Sequence, residues 1–348
     1  MKGGRCPWPL VAAVLLGAAA WPSGAVPTIA QEPSKDTPAQ GVATTLTLFA
    51  GTPAGLWRTR DWGARWERVE GATTANRLDG LGAARAIVPQ GPQVWVGGDG
   101  GVFVSYDFGE TWVQQSKTAG IRSLLFSRWP QSDLTAFAGT ANGLLKSADL
   151  GRSFKPTGLA GAPVSHMDWP GPALLLATGY GLVLSDDGGQ TFTGAGESLP
   201  RGEMKAFALS AFFAVDPVIF AAPASGGVYR SGDRGKTWTS AGLAGETVGD
   251  LVWLGPFLYA AAEGALFRSE DAGATWTRLG AYEGRPVRLL FPLAPAAGLE
   301  AFVATDRGIF RTADGGQRFQ PSGLAGEDVL TVATFPPPAP LQGKKVRR

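Results

Sequence analysis

The chain has 348 residues, with 31 Lys and Arg against 29 Asp and Glu, so its formal charge of +2 is nearly balanced. This balance, without a basic stripe interleaved with aromatic residues, argues against nucleic-acid binding. One cysteine, Cys6, and one histidine, His166, are too few for a zinc site. The sequence contains neither a phosphate-binding loop motif nor a Gly-x-Ser-x-Gly nucleophile motif. No metal and no cofactor are therefore expected.

Residues 1–30 have the pattern of a secretory signal peptide. Lys2 and Arg5 precede an apolar run of 12 residues, Leu10–Trp21, and small residues follow that can end a cleavage site. A membrane-spanning helix needs about 20 apolar residues, so no stable membrane span is expected. The protein is predicted to be exported to the periplasm or the extracellular space. If the segment is not cleaved, the protein is expected to stay associated with the membrane.

Residues 31–43 are rich in Pro, Gln, Ser and Thr, a composition typical of a flexible linker. Residues 338–348 follow a run of prolines and include four basic residues. Because proline blocks further strand pairing, this segment is expected to be a disordered basic tail. The intervening residues, 44–337, are expected to form one folded domain and a monomer.

A motif recurs seven times within residues 44–337. Its fullest copy runs from Ser231 to Trp238 and reads Ser-x-Asp-x-Gly-x-Thr-Trp. Successive motif aspartates are 38 to 46 residues apart, a spacing typical of repeat proteins. The seven aspartates are Asp61, Asp107, Asp149, Asp187, Asp233, Asp271 and Asp314.

The residue types of the motif suit a tight turn. An Asp carboxylate can accept backbone N–H groups that a turn leaves unpaired, and Gly tolerates positive φ. The preceding Ser or Thr can add a local hydrogen bond. The closing Trp or Phe is large enough to be buried between neighbouring sheets. Because the same pattern occurs seven times, the aspartates are interpreted as structural, and no catalytic residue is assigned among them.

The motif resembles the Asp-box, or BNR, repeat of sialidases and their non-catalytic relatives. It departs from that repeat where Arg65 and Arg318 replace Thr in the first and seventh copies, and where Phe closes three copies. An exported Asp-box chain of this length is also similar to the photosystem II stability and assembly factor family. That resemblance implies a scaffold that binds partner proteins without a known reaction, through cationic residues on one face.

Each repeat contains four predicted strands, named a to d. Six a strands precede the last motif, and a seventh, Val329–Phe335, follows it. The first unit begins directly at its b strand, Thr47–Gly51. The sequence therefore predicts an all-β, seven-bladed β-propeller of four-stranded antiparallel blades. In this fold the C-terminal strand completes the N-terminal blade, which closes the ring and protects the sheet edges.

The alternative function is that of a carbohydrate-active protein, either a sialidase-like glycoside hydrolase or a lectin. Such a hydrolase needs two carboxylates, or a Tyr activated by one, in the central cleft. Tyr282 beside Glu283 imitates that pair. Acidic residues on loops of the same predicted face are Asp79, Asp99, Glu197, Glu203, Glu246, Glu263, Glu283, Asp306, Glu327 and Asp328. No Arg-Ile-Pro signature of sialidases precedes the first motif, so a scaffold is favoured.

Basic residues on the a strands are the candidate partner site. Alignment of these strands places four cations at one equivalent position: Arg85, Arg122, Lys205 and Arg288. Such a ring at the mouth of the channel is predicted to bind a protein partner or an anionic ligand on the loop face. The opposing interpretation is that each cation pairs with a local acid such as Asp79 or Glu283. His166, on another a strand, is expected to be packed and hydrogen-bonded.

Overall fold

The computed structural model describes residues 46–70, 78–127, 133–169, 173–196, 198–210, 213, 215–292 and 300–335. The predicted signal peptide, linker and basic tail lie outside the described residues and remain predictions. Within the described ranges, 28 strands form seven four-stranded antiparallel sheets. This confirms the predicted all-β propeller with seven blades.

Each blade contains one strand of each kind, from a at the channel to d at the outside. The a strands are β4 (Ala84–Gln90), β8 (Ile121–Phe126), β12 (Val164–Asp168), β16 (Met204–Leu209), β20 (Val248–Leu254), β24 (Pro286–Leu290) and β28 (Thr331–Phe335). The b strands are β1 (Thr47–Thr52), β5 (Gln93–Gly98), β9 (Ala136–Thr140), β13 (Leu174–Thr178), β17 (Ile219–Pro223), β21 (Phe257–Ala262) and β25 (Ala301–Thr305).

The outer half of each blade consists of the c and d strands. The c strands are β2 (Gly55–Thr59), β6 (Gly101–Ser105), β10 (Gly143–Ser147), β14 (Gly181–Ser185), β18 (Tyr229–Ser231), β22 (Ala265–Ser269) and β26 (Gly308–Thr312). The d strands are β3 (Glu67–Arg68), β7 (Val113–Ser116), β11 (Lys155–Ala160), β15 (Thr193–Gly194), β19 (Thr239–Ser240), β23 (Thr277–Ala281) and β27 (Gln320–Pro321). Blade 1 comprises β28 with β1 to β3, and blades 2 to 7 take four strands each in chain order.

The ring closes through the two ends of the folded chain. Strand β28 pairs antiparallel with β1, with Thr334 opposite Leu48 and Val332 opposite Ala50. The a strand of each blade contacts that of the next, from β4 round to β28 and back to β4. The prediction that the C-terminal strand completes the N-terminal blade is therefore confirmed.

The hydrophobic core lies between neighbouring blades. The b strands are buried along their length because adjacent sheets cover both of their faces, and they accordingly read as short continuous apolar runs. One core cluster joins Phe220 of blade 5 to Leu258 of blade 6. Phe49 of blade 1 packs edge-on against Trp112 of blade 2, with the ring centroids 6.4 Å apart. Packing between blades thus holds the a strands around a common axis.

The motif aromatics lie at these blade interfaces. Trp112 is fully buried. Trp66 of blade 1 donates its Nε1–H to the carbonyl of Ser322 in blade 7 at 2.7 Å, and Trp276 of blade 6 donates to Ala241 of blade 5 at 2.7 Å. Each d strand begins one residue after its motif aromatic, not at it. The aromatic therefore belongs to the turn, and in these two copies it ties the turn to the preceding blade.

Each motif aspartate is bonded within its own turn. In all seven copies the Ser or Thr hydroxyl donates to the Asp Oδ1 at 2.7–2.9 Å. The same carboxylate accepts the backbone N–H four residues later at 2.8–3.0 Å. For Asp271, the hydroxyl and then the backbone N–H of Thr275 lower the carboxyl pKa to about 2. These bonds account for the aspartates as turn residues.

Candidate functional site

A cavity of about 420 Å³ lies at the centre of the ring and is lined by residues from all seven a strands. Its wall includes all four cations of the predicted partner site, Arg85, Arg122, Lys205 and Arg288. The structure therefore brings these four residues to one cavity. They do not, however, occupy one equivalent position.

A β-bulge interrupts six of the a strands next to their first residue. A bulge leaves one residue outside the ladder and redirects its side chain, and such bulges are common beside binding sites. The bulged residues are Arg85, Arg122, Ser165, Lys205, Gly249 and Val287. Three of the four predicted cations thus share one structural position at the channel, which we call the bulge tier.

Arg288 lies one residue beyond the bulge tier, so its predicted equivalence was wrong. Strand β24 begins at Pro286, and Val287 occupies the bulge while Arg288 pairs with Ala304 in the ladder. The predicted alignment treated Arg288 as the bulged residue of this strand, one position away from the residue that occupies the bulge. A one-residue shift changes the direction of every side chain in a strand. Arg288 consequently belongs to the next layer, the second tier, with His166 of β12 and Asp250 of β20.

Arg288 extends across the channel. Its Nη1 lies 3.3 Å from Nδ1 of His166. Arg288 belongs to blade 7 and His166 to blade 4, which are three blades apart in the ring of seven. Because a guanidinium only donates hydrogen bonds, Nδ1 must accept, and the ring proton of His166 is on Nε2. The two side chains form a bar across the second tier, hereafter the crossbar.

His166 is held neutral in this position. Its ring packs edge-on against Phe207, with the centroids 4.8 Å apart. Burial first, and the charge of Arg288 second, lower the pKa of His166 from 6.5 to about 3. The histidine is thus packed and hydrogen-bonded, as its position on a core strand suggested. Its partner across the channel gave no signal in the sequence.

Asp250 supports the crossbar from blade 6. Its Oδ1 lies 3.9 Å from Nη1 of Arg288 and accepts the N–H of Leu251 at 3.0 Å, while its Oδ2 accepts the N–H of Leu289 at 2.7 Å. The side chain is only 4% exposed. Burial raises the pKa of Asp250, an effect that the Arg288 charge and the two backbone donors oppose. Asp250 therefore anchors β20 to β24, and sequence reasoning missed it because it was not on a predicted loop.

Two of the three cations of the bulge tier, Arg85 and Lys205, form ion pairs. Arg85 Nε is 3.1 Å from Asp99 Oδ1, and Lys205 Nζ is 2.9 Å from Glu203 Oε2. Local pairing was the opposing interpretation, and the acids involved differ from Asp79 and Glu283. Arg122 is exposed and makes no hydrogen bond or ion pair with any residue that the structure describes.

The cavity is mixed in charge. Its wall also carries Arg285, which sequence analysis missed and which pairs with Asp306 at 2.8 Å. Burial alone would raise the pKa of Asp306, but the hydrogen bonds and charge of Arg285 hold it below its ordinary value. Five basic residues line the cavity, and they face five acidic ones: Glu203, Asp250, Glu263, Asp306 and Asp328.

The acidic residues predicted for a hydrolase are only partly gathered at this cavity. Four of them line it, namely Glu203, Glu263, Asp306 and Asp328. Five do not: Asp79, Asp99, Glu246, Glu283 and Glu327. Glu197 lies outside the described residues.

Tyr282 is not placed for chemistry with Glu283. Its hydroxyl lies 2.5 Å from the carbonyl oxygen of Ala262 and its ring packs against Phe319, with the centroids 5.3 Å apart. Burial is the main cause that raises the pKa of Tyr282 above its ordinary value. Glu283 follows in a bend after strand β23 and is exposed. The predicted sialidase-like pair is therefore corrected to a core tyrosine and a surface glutamate.

The residues that the structure describes contain no group of three or more His, Cys, Asp or Glu side chains that could hold a metal ion. In the same ranges there is no helix of the length and apolarity that crossing a membrane requires.

The family model of the BNR-Asp box repeat matches residues 228–241, which contain the fullest copy of the motif. The other six copies repeat its hydrogen bonds on the other six blades. One copy of the motif thus matches the BNR-Asp box repeat, and the chain folds as a seven-bladed propeller. No curated protein sequence matches this chain.

Solved structures with similar folds come from several kinds of protein. The chain resembles an ancestral GH74 enzyme with 13% identity and a TM-score of 0.60, and the match covers 82% of this chain and 47% of that one. An extracellular domain from B. thetaiotaomicron, assigned to a hybrid two-component system, is 15% identical with a TM-score of 0.57, and the match covers 72% of this chain and 33% of that one. The structure of YCF48 bound to D1 peptide is 17% identical with a TM-score of 0.52, and the match covers 78% of this chain and 87% of that one. At these identities the likeness shows the fold alone.

The solved structures differ in the share of their own length that this chain matches. The chain spans between a third and a half of the length of the first solved structures that it matches, 33%, 38% and 47% of their chains. It spans 87% of the YCF48 chain. The activities of the longer proteins are therefore not assigned to this chain.

Proposed function

We propose that this protein is an exported, non-catalytic propeller that binds a protein partner at the mouth of its central channel, as a scaffold or assembly factor. The observation that carries the proposal is the bulge tier, in which Arg85, Arg122 and Lys205 take the same position on three blades. A bulge at this position repeats on other blades without a cation, so the fold does not require the charge there. The positive residues are therefore assigned to binding.

Arg122 is the strongest single candidate for a partner contact. It is exposed and has no partner among the described residues. The other two cations of the bulge tier, Arg85 and Lys205, are held only by exposed ion pairs. The paired side chains are 37% to 52% accessible. Such pairs contribute about 0–1 kcal/mol each, so an incoming carboxylate can replace the local acid at little cost. The mouth can thus offer three cations to an acidic partner surface.

Similar solved structures support a role in binding. YCF48, which is similar in length and fold, has a structure bound to D1 peptide, so a single propeller of this size can receive a peptide. The extracellular domains among the neighbours support export. A glycoside hydrolase needs two available carboxylates that face each other. Here Asp250 is buried with both oxygens hydrogen-bonded, and Asp306 holds Arg285, which supports binding in preference to hydrolysis.

The proposal is tested by partner capture with charge-reversed variants. The mature propeller and the double variant Arg122→Glu, Lys205→Glu are used as baits against the exported proteins of the host. The double variant is expected to stay folded and to lose the partner that the wild type captures, and wild-type capture should weaken as salt rises. Arg278→Glu, an exposed arginine on the outer strand β23, is the matched control and should capture normally. Equal, salt-insensitive capture by all three proteins would contradict the proposal.

A further inference from the structure

The guanidinium of Arg288 uses only one of its edges in the crossbar. Both the His166 contact and the Asp250 contact involve Nη1. Its Nε and Nη2 make no hydrogen bond with any of the residues described by the structure. The Nε–Nη2 edge is the fork that binds a carboxylate through two parallel hydrogen bonds. An unused fork of this kind therefore lies inside the channel.

The second tier leaves room beside this fork. The crossbar separates blades 5 and 6 from blades 1, 2 and 3. Asp250 stands on the side of blades 5 and 6. On the other side the tier consists of the small residues Ala86, Ser123 and Thr331, and all three line the cavity. Space for a planar group is thus present next to Arg288.

Charge around this space favours a single negative group. Arg122 precedes Ser123 on β8 and projects from the bulge tier above, without a partner among the described residues. The five acidic residues of the cavity offset its five basic ones, which disfavours a dianion. A monovalent carboxylate therefore matches the arrangement better than a phosphate.

We propose that the Nε–Nη2 edge of Arg288 is a carboxylate-binding site inside the channel and that His166 is the residue that positions it. The occupant is a carboxylate group that a partner protein inserts past the bulge tier. This inference rests on the proposed function, since it names the chemical group that the partner would supply. His166 accepts from Nη1 and Asp250 lies behind the same nitrogen, so together they orient the other edge toward blades 1, 2 and 3.

His166 also provides a direct report on this site, because it is the only histidine of the chain. The charged groups on its own strand and on the surrounding a strands are Asp168, Arg85, Arg122, Lys205, Asp250 and Arg288. Any anion that binds Arg288 alters the field at the imidazole without touching it. The ring signals of His166 in nuclear magnetic resonance spectra therefore respond to binding.

The test is a titration of the folded protein with sodium acetate at constant ionic strength, with inorganic phosphate as the second probe. Acetate is expected to shift the His166 signals saturably, and phosphate to bind more weakly. Arg288→Lys keeps the charge but loses the fork, so acetate should bind about tenfold more weakly, the loss expected for one charge-assisted hydrogen bond. Arg278→Lys is the control and should behave as the wild type. Unchanged His166 signals, tighter binding of phosphate, or a wild-type response of Arg288→Lys would each overturn the site.

The positioning role of His166 is tested with [¹³C]acetate as the observed probe. His166→Gln retains an oxygen that can accept from Arg288 and should keep acetate affinity within about twofold, whereas His166→Leu should lose about tenfold. Equal affinities of the two variants would overturn the role of His166. If Arg288→Lys captures the protein partner normally while Arg122→Glu, Lys205→Glu does not, the carboxylate site fails and the proposed function stands.

Discussion

Arg288 and His166 meet across the central channel, 122 residues apart in the chain, with Nη1 3.3 Å from Nδ1. Their strands belong to blades 7 and 4, so neither pairing within a sheet nor packing between adjacent blades accounts for the contact. It forms only because the ring is closed and the two blades lie opposite one another. The contact also requires a neutral imidazole, since a protonated His166 has no free acceptor for a guanidinium.

We expect His166 to make the stability of the protein depend on pH between about 6.5 and 3, the unfolded and folded pKa values. A pKa that is lower in the folded state means that the unfolded state binds more protons in this window. Stability is therefore full above pH 6.5 and falls as the pH is lowered toward 3. Denaturant unfolding as a function of pH should show this slope in the wild type and a smaller slope in His166→Gln.

The motif aspartates affect the stability of the protein only at the acid end of this pH range. Six of them have a pKa below the ordinary 3.8, so their contribution is lost only as the pH falls below about 4. These six aspartates do not contribute between pH 6.5 and 4.5, whereas Asp250 does so with the sign opposite to His166, because burial raises its pKa. The difference in slope between the wild type and His166→Gln in this interval therefore reports on His166. A His166 signal that titrates within this interval in the folded wild type would contradict the expected burial.

Removal of residues 328–348 is expected to open the ring. The deletion takes away β28 and exposes the edge of β1, and it removes Phe335, which packs edge-on against Phe49 with the centroids 6.0 Å apart. An unprotected edge invites pairing with other chains. The truncated protein should aggregate in size-exclusion chromatography or lose cooperative thermal unfolding. Deletion of residues 338–348 alone is the control, and a full-length melting curve for the longer deletion would refute the closure requirement.

Aryl-sialoside and xyloglucan are expected to remain intact when they are incubated with the mature protein. The reason is that Tyr282 is buried against the carbonyl of Ala262 and Asp306 is paired with Arg285. Release of the aryl group or of reducing sugar is the measurement. Turnover that disappears in Asp306→Asn or Glu263→Gln would show that the cavity is catalytic.

The repeat made the blades and their closure predictable, because each turn motif marks one c–d connection. The strand count leaves one strand missing at the N-terminal end and one spare strand at the C-terminal end. The register of β24 was not predictable in the same way. A bulge adds one unpaired residue, and the sequence Pro286-Val287-Arg288 carries no signal that places the bulge at Val287. The one-residue error moved Arg288 from the second tier to the bulge tier. The contact with His166 was also hidden, since it depends on which blades lie opposite in the closed ring.

Two motif glycines offer a matched test of packing between blades. A Cβ on Gly109 would lie 2.4 Å from the ring of Phe49, whereas a Cβ on Gly151 would meet nothing closer than 3.5 Å. Both residues have positive φ, 89° and 75°, so Ala is strained at either position by about 1–2 kcal/mol. Gly109→Ala additionally forces apart Phe49 and the turn, an overpacking cost of about 1–3 kcal/mol.

Denaturant unfolding of the two variants measures this difference. Gly151→Ala should lose only the free energy of the strained backbone, and Gly109→Ala should lose clearly more. The difference arises at the interface of blades 1 and 2, because Phe49 lies on β1 and Gly109 in the turn that precedes β7. Phe49→Leu combined with Gly109→Ala should recover part of the loss, since the smaller side chain makes room for the Cβ. Equal losses for the two single variants, with no recovery in the double variant, would mean that the interface yields freely around Phe49.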